Sequence, residues 1–473
     1  MNEAIGDKPR KQGDPIPARC SGGDEAQGVT YEFAGAYPIG SVWIDGHSEE
    51  EGWPAEVRVE YSLNGSDWKT VVGGGTGGES ARYVRLLGAS PADVKFVAGA
   101  GFAAEPADEW TAMFRRRQGW TGGDGIYSIP VSGNEAHGTA ASTKTLFVFG
   151  DTFIGGVDSV TEQRDPATEM LNNTMAILEG GDPNPEKLRF VWRRTDRGDP
   201  NSAIVPATPM TSAIPGAYYW LQDAVSISGR YHGFPLVVGH DENGPEGFQF
   251  AVHGVTHISC ALPADGPDLA NVKQSDTPLY FKSTGGHTTY FGAAIMPNTN
   301  EAGMPDPDGY VYVYGLQHDG VHRLVAARAL PEHIGDTSKW TYWDGRAWAD
   351  RMEECAPIAP EVSCELSVSR MQGGPLDGKF VVACQLGGTT GNRLALYVGA
   401  TPVGPFGPSI PLYYCPEPQE GLGIYSYNAK GHPHLSAPGE LLMSYNVNTT
   451  SMEANMARGD IYRPRFVRVR PII

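Results

Sequence analysis

Trp120–Ser128 (W-T-G-G-D-G-I-Y-S), Thr145–Phe153 (T-L-F-V-F-G-D-T-F) and Leu171–Leu178 (L-N-N-T-M-A-I-L) decide the reading of this chain. Apolar, β-rich runs meet glycine at two carboxylates, Asp124 and Asp151. Glycine beside an acid permits a sharp turn and leaves room for a ligand. An Asp in such a place either caps a turn or faces the ligand. Two such junctions flank successive predicted strands. Paired carboxyls are what glycoside cleavage needs: one protonates the leaving oxygen, the other attacks or activates water. Asp151 closes the most apolar strand of this region, between Phe149 and Phe153, where a carboxyl is expected to hold its proton. The alternative is an Asp that bonds Thr152 or a backbone amide.

Composition agrees with a β-rich chain. Of 473 residues, Gly supplies 61, Pro 37, Tyr 21 and Trp 10, a profile of short strands joined by turns. No stretch keeps helical periodicity; the one short helix expected lies near Pro331–Ile334. The formal charge of −19 argues against nucleic acid and against anionic membranes as partners, and fits a neutral, hydroxyl-rich ligand. No apolar run reaches the ~20 residues of a membrane span. The N-terminus has no apolar signal core, so the chain reads either as cytoplasmic or as a secreted protein whose leader has been removed. Its six cysteines show no zinc-like spacing. Cys364 and Cys384 read as buried thiols, and a Cys355–Cys364 link is an alternative. No cofactor is expected, apart from a structural or pore-bound cation such as calcium.

Along the chain, residues 1–24 are polar and little fixed structure is expected there. Residues 25–103 carry six strand-like runs, including A-E-V-R-V-E-Y-S-L and A-R-Y-V-R-L-L-G. The turn L-N-G-S-D-W between them predicts a type I′ hairpin. Alternating apolar positions make this unit a small β-sandwich. It resembles the discoidin-type carbohydrate-binding sandwiches through V-E-Y-S-L-N-G-S-D-W and A-R-Y-V-R-L, but is about half their usual length. That leaves Trp43 and His47 as its candidate ligand contacts, or a purely buttressing role. Ala103–Asp108 reads as a linker.

From residue 110 to 473 five clusters of strands follow at wide, regular spacing. Sheets that cannot bury both faces alone are expected to stack radially, giving an all-β chain with a five-bladed β-propeller behind the sandwich. A β-helix or a row of sandwiches is the alternative. On the propeller reading the starts of the innermost strands converge: Asp124, Asp223, the Phe291–Ala293 region, Glu365 and the Asn428–His434 segment. Asp223 (W-L-Q-D) and Glu365 (S-C-E-L-S-V) are charges among apolar neighbours, so each is expected to be paired or functional; Arg370 is the simplest partner for Glu365. N-A-K-G-H-P-H-L offers Asn428, Lys430, His432 and His434, with both rings on one face if the strand continues. Hydroxyl recognition is favoured over a metal. Trp120, Tyr127 and Trp220 are candidates to stack on sugar faces, with blade packing the alternative for Trp220. Asn173 is expected to bind sugar, and His240 to sit on the rim or in a loop.

Trp120–Ser128, Leu146–Phe153, Tyr218–Ala224, Asp306–Gly315, Pro402–Phe406 and Y-N-A-K-G-H-P-H-L-S together resemble the bacterial DUF5005 group of propeller domains. The G-G-D-G…F-G-D-T pair is also similar to the DUF4185 propellers, which include endo-D-arabinanases. That resemblance implies a glycosidase acting on furanosides such as arabinan or fructan. Asp124 and Asp151 would then form the acid/base and nucleophile pair, with retention of configuration. Asp223 and Glu365 join them through the strand-start argument. A glycan-binding protein without catalysis is the competing reading.

Overall fold

The computed structural model of the chain describes residues 10–22, 28–49, 53, 57–88, 93–244, 249–388, 391–420 and 423–473. It is nearly all β. After residue 118, successive antiparallel sheets follow one another along the sequence. The first is Tyr127–Pro130, Lys144–Phe149, Thr174–Glu179 and Leu188–Val191. The second pairs Ala224–Ile227, Arg230–Gly233, Phe250–Ala261 and Lys273–Asp276. The third pairs Thr288–Asn298, Tyr310–His318, His322–Ala329 and Thr341–Trp343. The fourth is Ser367–Arg370, Phe380–Leu386, Arg393–Gly399 and Ile410–Tyr414. The last pairs Ile424–Gly431, Leu441–Thr449 and Pro464–Ile472, and its fourth strand is Gly101–Pro106.

The apolar runs make sense once each sheet is seen to be covered on both faces. In Phe380–Leu386, Val381 and Ala383 pack with Leu441 and Met443 of the following sheet, while Val382 and Cys384 pack with Tyr312 and Ala326 of the preceding one. Continuous hydrophobicity, rather than alternation, marks such doubly buried strands. Each buried Val contributes roughly 1.5–3 kcal/mol on leaving water. The same sharing joins the first sheet to the second through Met175, Ile177, Tyr219 and Cys260. It joins the second to the third through Val225, Val255, Phe291 and Val313. Phe147 and Phe149 of the first sheet meet Leu442 and Phe466 of the last, which closes the cycle.

Two segments differ from expectation. Ala103–Asp108, read as a linker, lies in the strand Gly101–Pro106, which pairs with Pro464–Ile472 and begins the short helix Asp108–Ala112 behind it. Its small residues, Ala103 and Ala104, are needed because the strand is squeezed between two neighbours: Ala104 faces Val469 on one side and Ala36 on the other. The N-terminal unit and the last sheet are therefore continuous through hydrogen bonds. Residues 10–22, expected to lack structure, contribute the strands Pro15–Ile16 and Ala18–Gly22, held by pairing with Val97 and Phe96 and with Val29–Ile44; residues 1–9, 23 and 24 lie outside the described residues.

Smaller expectations are also corrected. Glu60–Thr70 and Tyr61–Lys69 pairing leaves a longer loop than a two-residue turn, in which Asn64 Oδ1 accepts from the amides of Ser66 and Asp67. Gly65, but not Asn64, takes a positive φ, so no type I′ turn forms. Pro331–His333 is a single 3₁₀ turn. Cys355 and Cys364 are unlinked.

A chain truncated to begin at residue 107 is expected to be destabilised and prone to associate, because the Pro464–Ile472 edge is left bare. Thermal unfolding and size-exclusion chromatography of that truncation should show a large drop in Tm or association. Wild-type stability would show that Gly101–Pro106 merely decorates the fold.

Candidate active site

The two Gly–Asp junctions form one interlocked turn. The Asp124 amide donates to the Asp151 carbonyl at 3.1 Å, and the Gly150 amide donates to the Asp124 carbonyl at 2.9 Å. A Cβ at 150 would lie 2.5 Å from Asp124 Oδ1, so any larger residue there would displace that carboxyl. Gly125 adopts φ +82°, which turns the chain from Asp124 into the first inner strand.

Around this turn the ring brings together acids far apart in sequence, each half-buried. Asp124 Oδ2 accepts from the hydroxyls of Tyr427 at 2.9 Å and Tyr462 at 3.1 Å. Asp151 Oδ1 accepts from the indole of Trp220 at 3.1 Å and the amide of Asn172 at 3.4 Å. Asp223 accepts from the backbone amides of Ala224 at 2.9 Å and Ile295 at 2.7 Å, tying the second sheet to the third. Glu365 is paired with Lys430, whose ammonium also donates to the Gly125 carbonyl. Arg370, the partner expected for Glu365, instead donates to the Pro305 carbonyl; Lys430 wins because it rises from the adjacent inner strand. Thr152 bonds Gly150 and Thr174, leaving Asp151 uncapped by it.

Burial raises the proton affinity of every one of these acids. Desolvation, reinforced by the neighbouring Asp124 charge, pushes Asp151 up to about 8. Desolvation likewise takes Asp223 to about 8, and Glu365 to about 7 against the pull of Lys430. Asp124 is also raised by burial, but two tyrosine hydroxyls and Lys430 oppose the rise. The protonation pattern is thus unequal: Asp151 has weaker donors and no adjacent cation, so it is the better proton holder of the pair.

The cluster holds Lys430, from the N-A-K-G-H-P-H-L segment already singled out, and two residues that the sequence reading passed over, Tyr462 and Glu135. Lys430 is fully buried, with its ammonium 3.9 Å above the Tyr127 ring. Tyr462 sits at φ +63°, a costly conformation for a bulky side chain, and its hydroxyl nevertheless reaches Asp124. Glu135 has its carboxyl raised to about 8 by desolvation. It lines a cleft together with Asp223, Tyr127, Ser128, Ser367 and Ser369. The cleft runs along the inner strands away from the Asp124–Asp151 turn. The alternating Y-S-Y and the lone lysine of Y-S-Y-N-A-K-G were the available signals for Tyr427 and Lys430; Tyr462 and Glu135 had none.

Several expected sugar contacts are structural instead. Trp120 is buried and stacks on Phe190 at 4.6 Å inside the first sheet's core. Tyr127 is buried, bonded to the Ala293 carbonyl at 3.1 Å and covered by Lys430, so its ring has no free face. Asn173 is buried, and its amide group bonds Ile204 and Tyr219 backbone atoms. His432 is locked between Ser128 at 2.7 Å and Ser444 at 2.8 Å. His434 bonds Thr145 at 3.0 Å, and burial lowers its pKa to about 3. The H-x-H alternation fails because the strand ends at Gly431 and Pro433–Leu435 is a 3₁₀ turn. Trp220 remains at the site as a donor to Asp151, its ring edge-on to Phe250 at 4.6 Å. Asn428 occupies the bulge of its strand at φ +59°, between Tyr427 and Lys430. His240 is exposed at the end of Leu236–His240. In the N-terminal unit Trp43 bonds Ser41 at 3.2 Å and His47 is exposed. Among the described residues no group of three or more His, Cys, Asp or Glu is placed to hold a metal.

Residues 107–471 match the model of the family described as a domain of unknown function, DUF5005. The chain belongs to the DUF5005 family. No curated protein matches it. Among solved structures, a protein of Bacteroides ovatus ATCC 8483 provisionally described as a hydrolase is similar at 19% identity and TM-score 0.57, over 78% of this chain and 90% of that one. This likeness shows a shared fold. Lesser similarity is found to a Dyadobacter fermentans protein of unknown function, at 10% identity and TM-score 0.33 over 75% of this chain and 96% of that one. An alpha-L-arabinanase of Penicillium chrysogenum gives 12% identity and TM-score 0.34, over 97% and 93% of the two chains.

Two outcomes test this description. Asn173→Ala leaves buried Ile204 and Tyr219 groups without partners and is expected to cost roughly 3 kcal/mol, read by urea unfolding; a neutral result would mean Asn173 is free for ligand. For Asp151, the folded protein keeps a proton up to about pH 8 that the unfolded chain releases near pH ~4. Stability should therefore fall as pH rises through that window. Asp151→Asn should flatten the decline and be more stable than wild type at pH 7. Parallel pH–stability curves for the two proteins would contradict a protonated Asp151.

Proposed function

We propose that this chain is a glycoside hydrolase whose sheets form a five-bladed β-propeller, with the N-terminal sandwich as a buttress. The cyclic sharing of apolar clusters and the convergence of inner-strand starts support the five-bladed reading. The observation that carries the function is the Asp124–Asp151 pair: two carboxyls on one interlocked turn, with unequal donor sets. Asp151, protonated at neutral pH, serves as general acid toward the glycosidic oxygen. Asp124, gripped by Tyr427 and Tyr462, serves as the nucleophile or as the base that activates water. Asp223 and Glu365 tune these groups or hold substrate hydroxyls. The half-buried Trp220, beside Asp151, offers an aromatic edge to a sugar ring.

A furanosidic glycan, arabinan-like or fructan-like, is the substrate class this reading favours. Retention of configuration requires the reacting carboxyls about 5–5.5 Å apart in the complex, and inversion about 6.5–9.5 Å. Lys430, the cation that acts on Asp124, is already taken up by Glu365 and the Gly125 carbonyl, an arrangement that suits a neutral glycan better than an anionic one.

Wild type, Asp124→Asn and Asp151→Asn assayed on arabinans, fructans and xylans provide the test. Each variant is expected to lose about 10²- to 10⁴-fold in kcat/KM with its fold intact by circular dichroism. Wild-type turnover should decline above the pH at which Asp151 releases its proton, about 8. Glycan binding by all three proteins with no turnover by any would make this a lectin.

A further inference from the structure

Lys430 is an unusual residue to find where it is. It is buried, with its side chain 1% exposed. It rises from the last sheet's inner strand, Ile424–Gly431, yet its ammonium reaches across two neighbours. It pairs with Glu365, which precedes the inner strand of the fourth sheet, and bonds the Gly125 carbonyl, which follows Asp124 into the first. The groups facing it are Glu365, Asp124 and Asp223, with Tyr127 beneath it and His432 just beyond the end of its strand. Asp124 in turn faces Tyr427, Tyr462 and Asp151. One ammonium therefore stands among several desolvated carboxyls, and only carboxyls close to it can be charged at small cost.

We propose that Lys430 is a positioning residue: by bridging Glu365 to the Asp124 turn it favours the charged form of those two carboxyls, which leaves Asp151 as the proton holder of the Asp124–Asp151 pair. The inference rests on the hydrolase reading for its chemical purpose, but its electrostatic content stands apart from turnover. Glu365, on this view, competes with Asp124 for the same cation. The two carboxylates repel, and Lys430 attracts both. Removing the cation and removing its competitor must then act on Asp124 in opposite directions.

The experiment follows the Asp carboxyl carbons by NMR in protein made with ¹³C-labelled aspartate, Asp124 being assigned by loss of its signal in Asp124→Asn. In Lys430→Met the Asp124 midpoint should rise by about one unit or more. In Glu365→Gln it should fall. The double variant Lys430→Met/Glu365→Gln should return toward wild type, and it keeps the test available if the single Lys430 variant fails to fold. If the hydrolase reading is also right, the acidic limb of the kcat/KM profile will move in the same directions. An Asp124 midpoint in Glu365→Gln equal to wild type, or one in the double variant that does not rise above that of Glu365→Gln, overturns the proposal, whatever the activity. Midpoints that move as expected in a protein that cleaves no glycan uphold the role of Lys430 and discard the hydrolase.

Discussion

Strands buried on both faces cannot stop at an edge. Each of the successive sheets described after residue 118 shares an apolar cluster with the sheet on either side, so each is covered twice, and the last is returned to the first. Phe147 and Phe149 packed on Leu442 and Phe466 are that return contact. The position of every site residue follows from it. Asp124, Asp223, Glu365 and Lys430 stand far apart in the chain, and they meet because each precedes or occupies an innermost strand of the cycle of sheets.

That closure also explains the electrostatics. Carboxyls crowded into a space walled by apolar sheets cannot all be charged. The fold resolves the conflict locally: tyrosine hydroxyls on Asp124, an ammonium on Glu365, backbone amides on Asp223, and retained protons elsewhere. The strained backbone of Tyr462 belongs to the same economy, since its hydroxyl is one of the few donors Asp124 has. Function, on the hydrolase reading, uses a difference in proton affinity that the fold creates at the expense of its own stability.

Much of this was legible in the sequence, and the reasons it was legible are physical. Apolar runs of four to eight residues broken by glycine announce covered strands; Asp124 and Asp151 stood out as acids at glycine junctions, and Asp223 and Glu365 as charges among apolar neighbours, and all four lie half-buried beside the inner strands. What failed was orientation. Trp120 and Asn173 lie beside the acids in sequence but on faces that point into sheet interiors, and period-two counting does not say which face is inward. His432 and His434 were misread because Pro433 ends the strand periodicity the argument relied on. Glu135 and Tyr462 sit in connections, where no periodicity exists to interpret. The strand Gly101–Pro106 was taken for a linker because alanine and proline look like spacer residues, whereas here they allow two neighbours to approach.

The pairing of Gly101–Pro106 with Pro464–Ile472 carries a consequence for how the molecule is made. On the ribosome the first of these segments emerges long before the second exists, and a bare strand edge is an invitation to the wrong partner. The bridge from Ala104 to Ala36 gives the waiting segment a provisional home on the unit synthesised just before it. The N-terminal unit thus offers Gly101–Pro106 a pairing partner that is synthesised before the C-terminal strand exists.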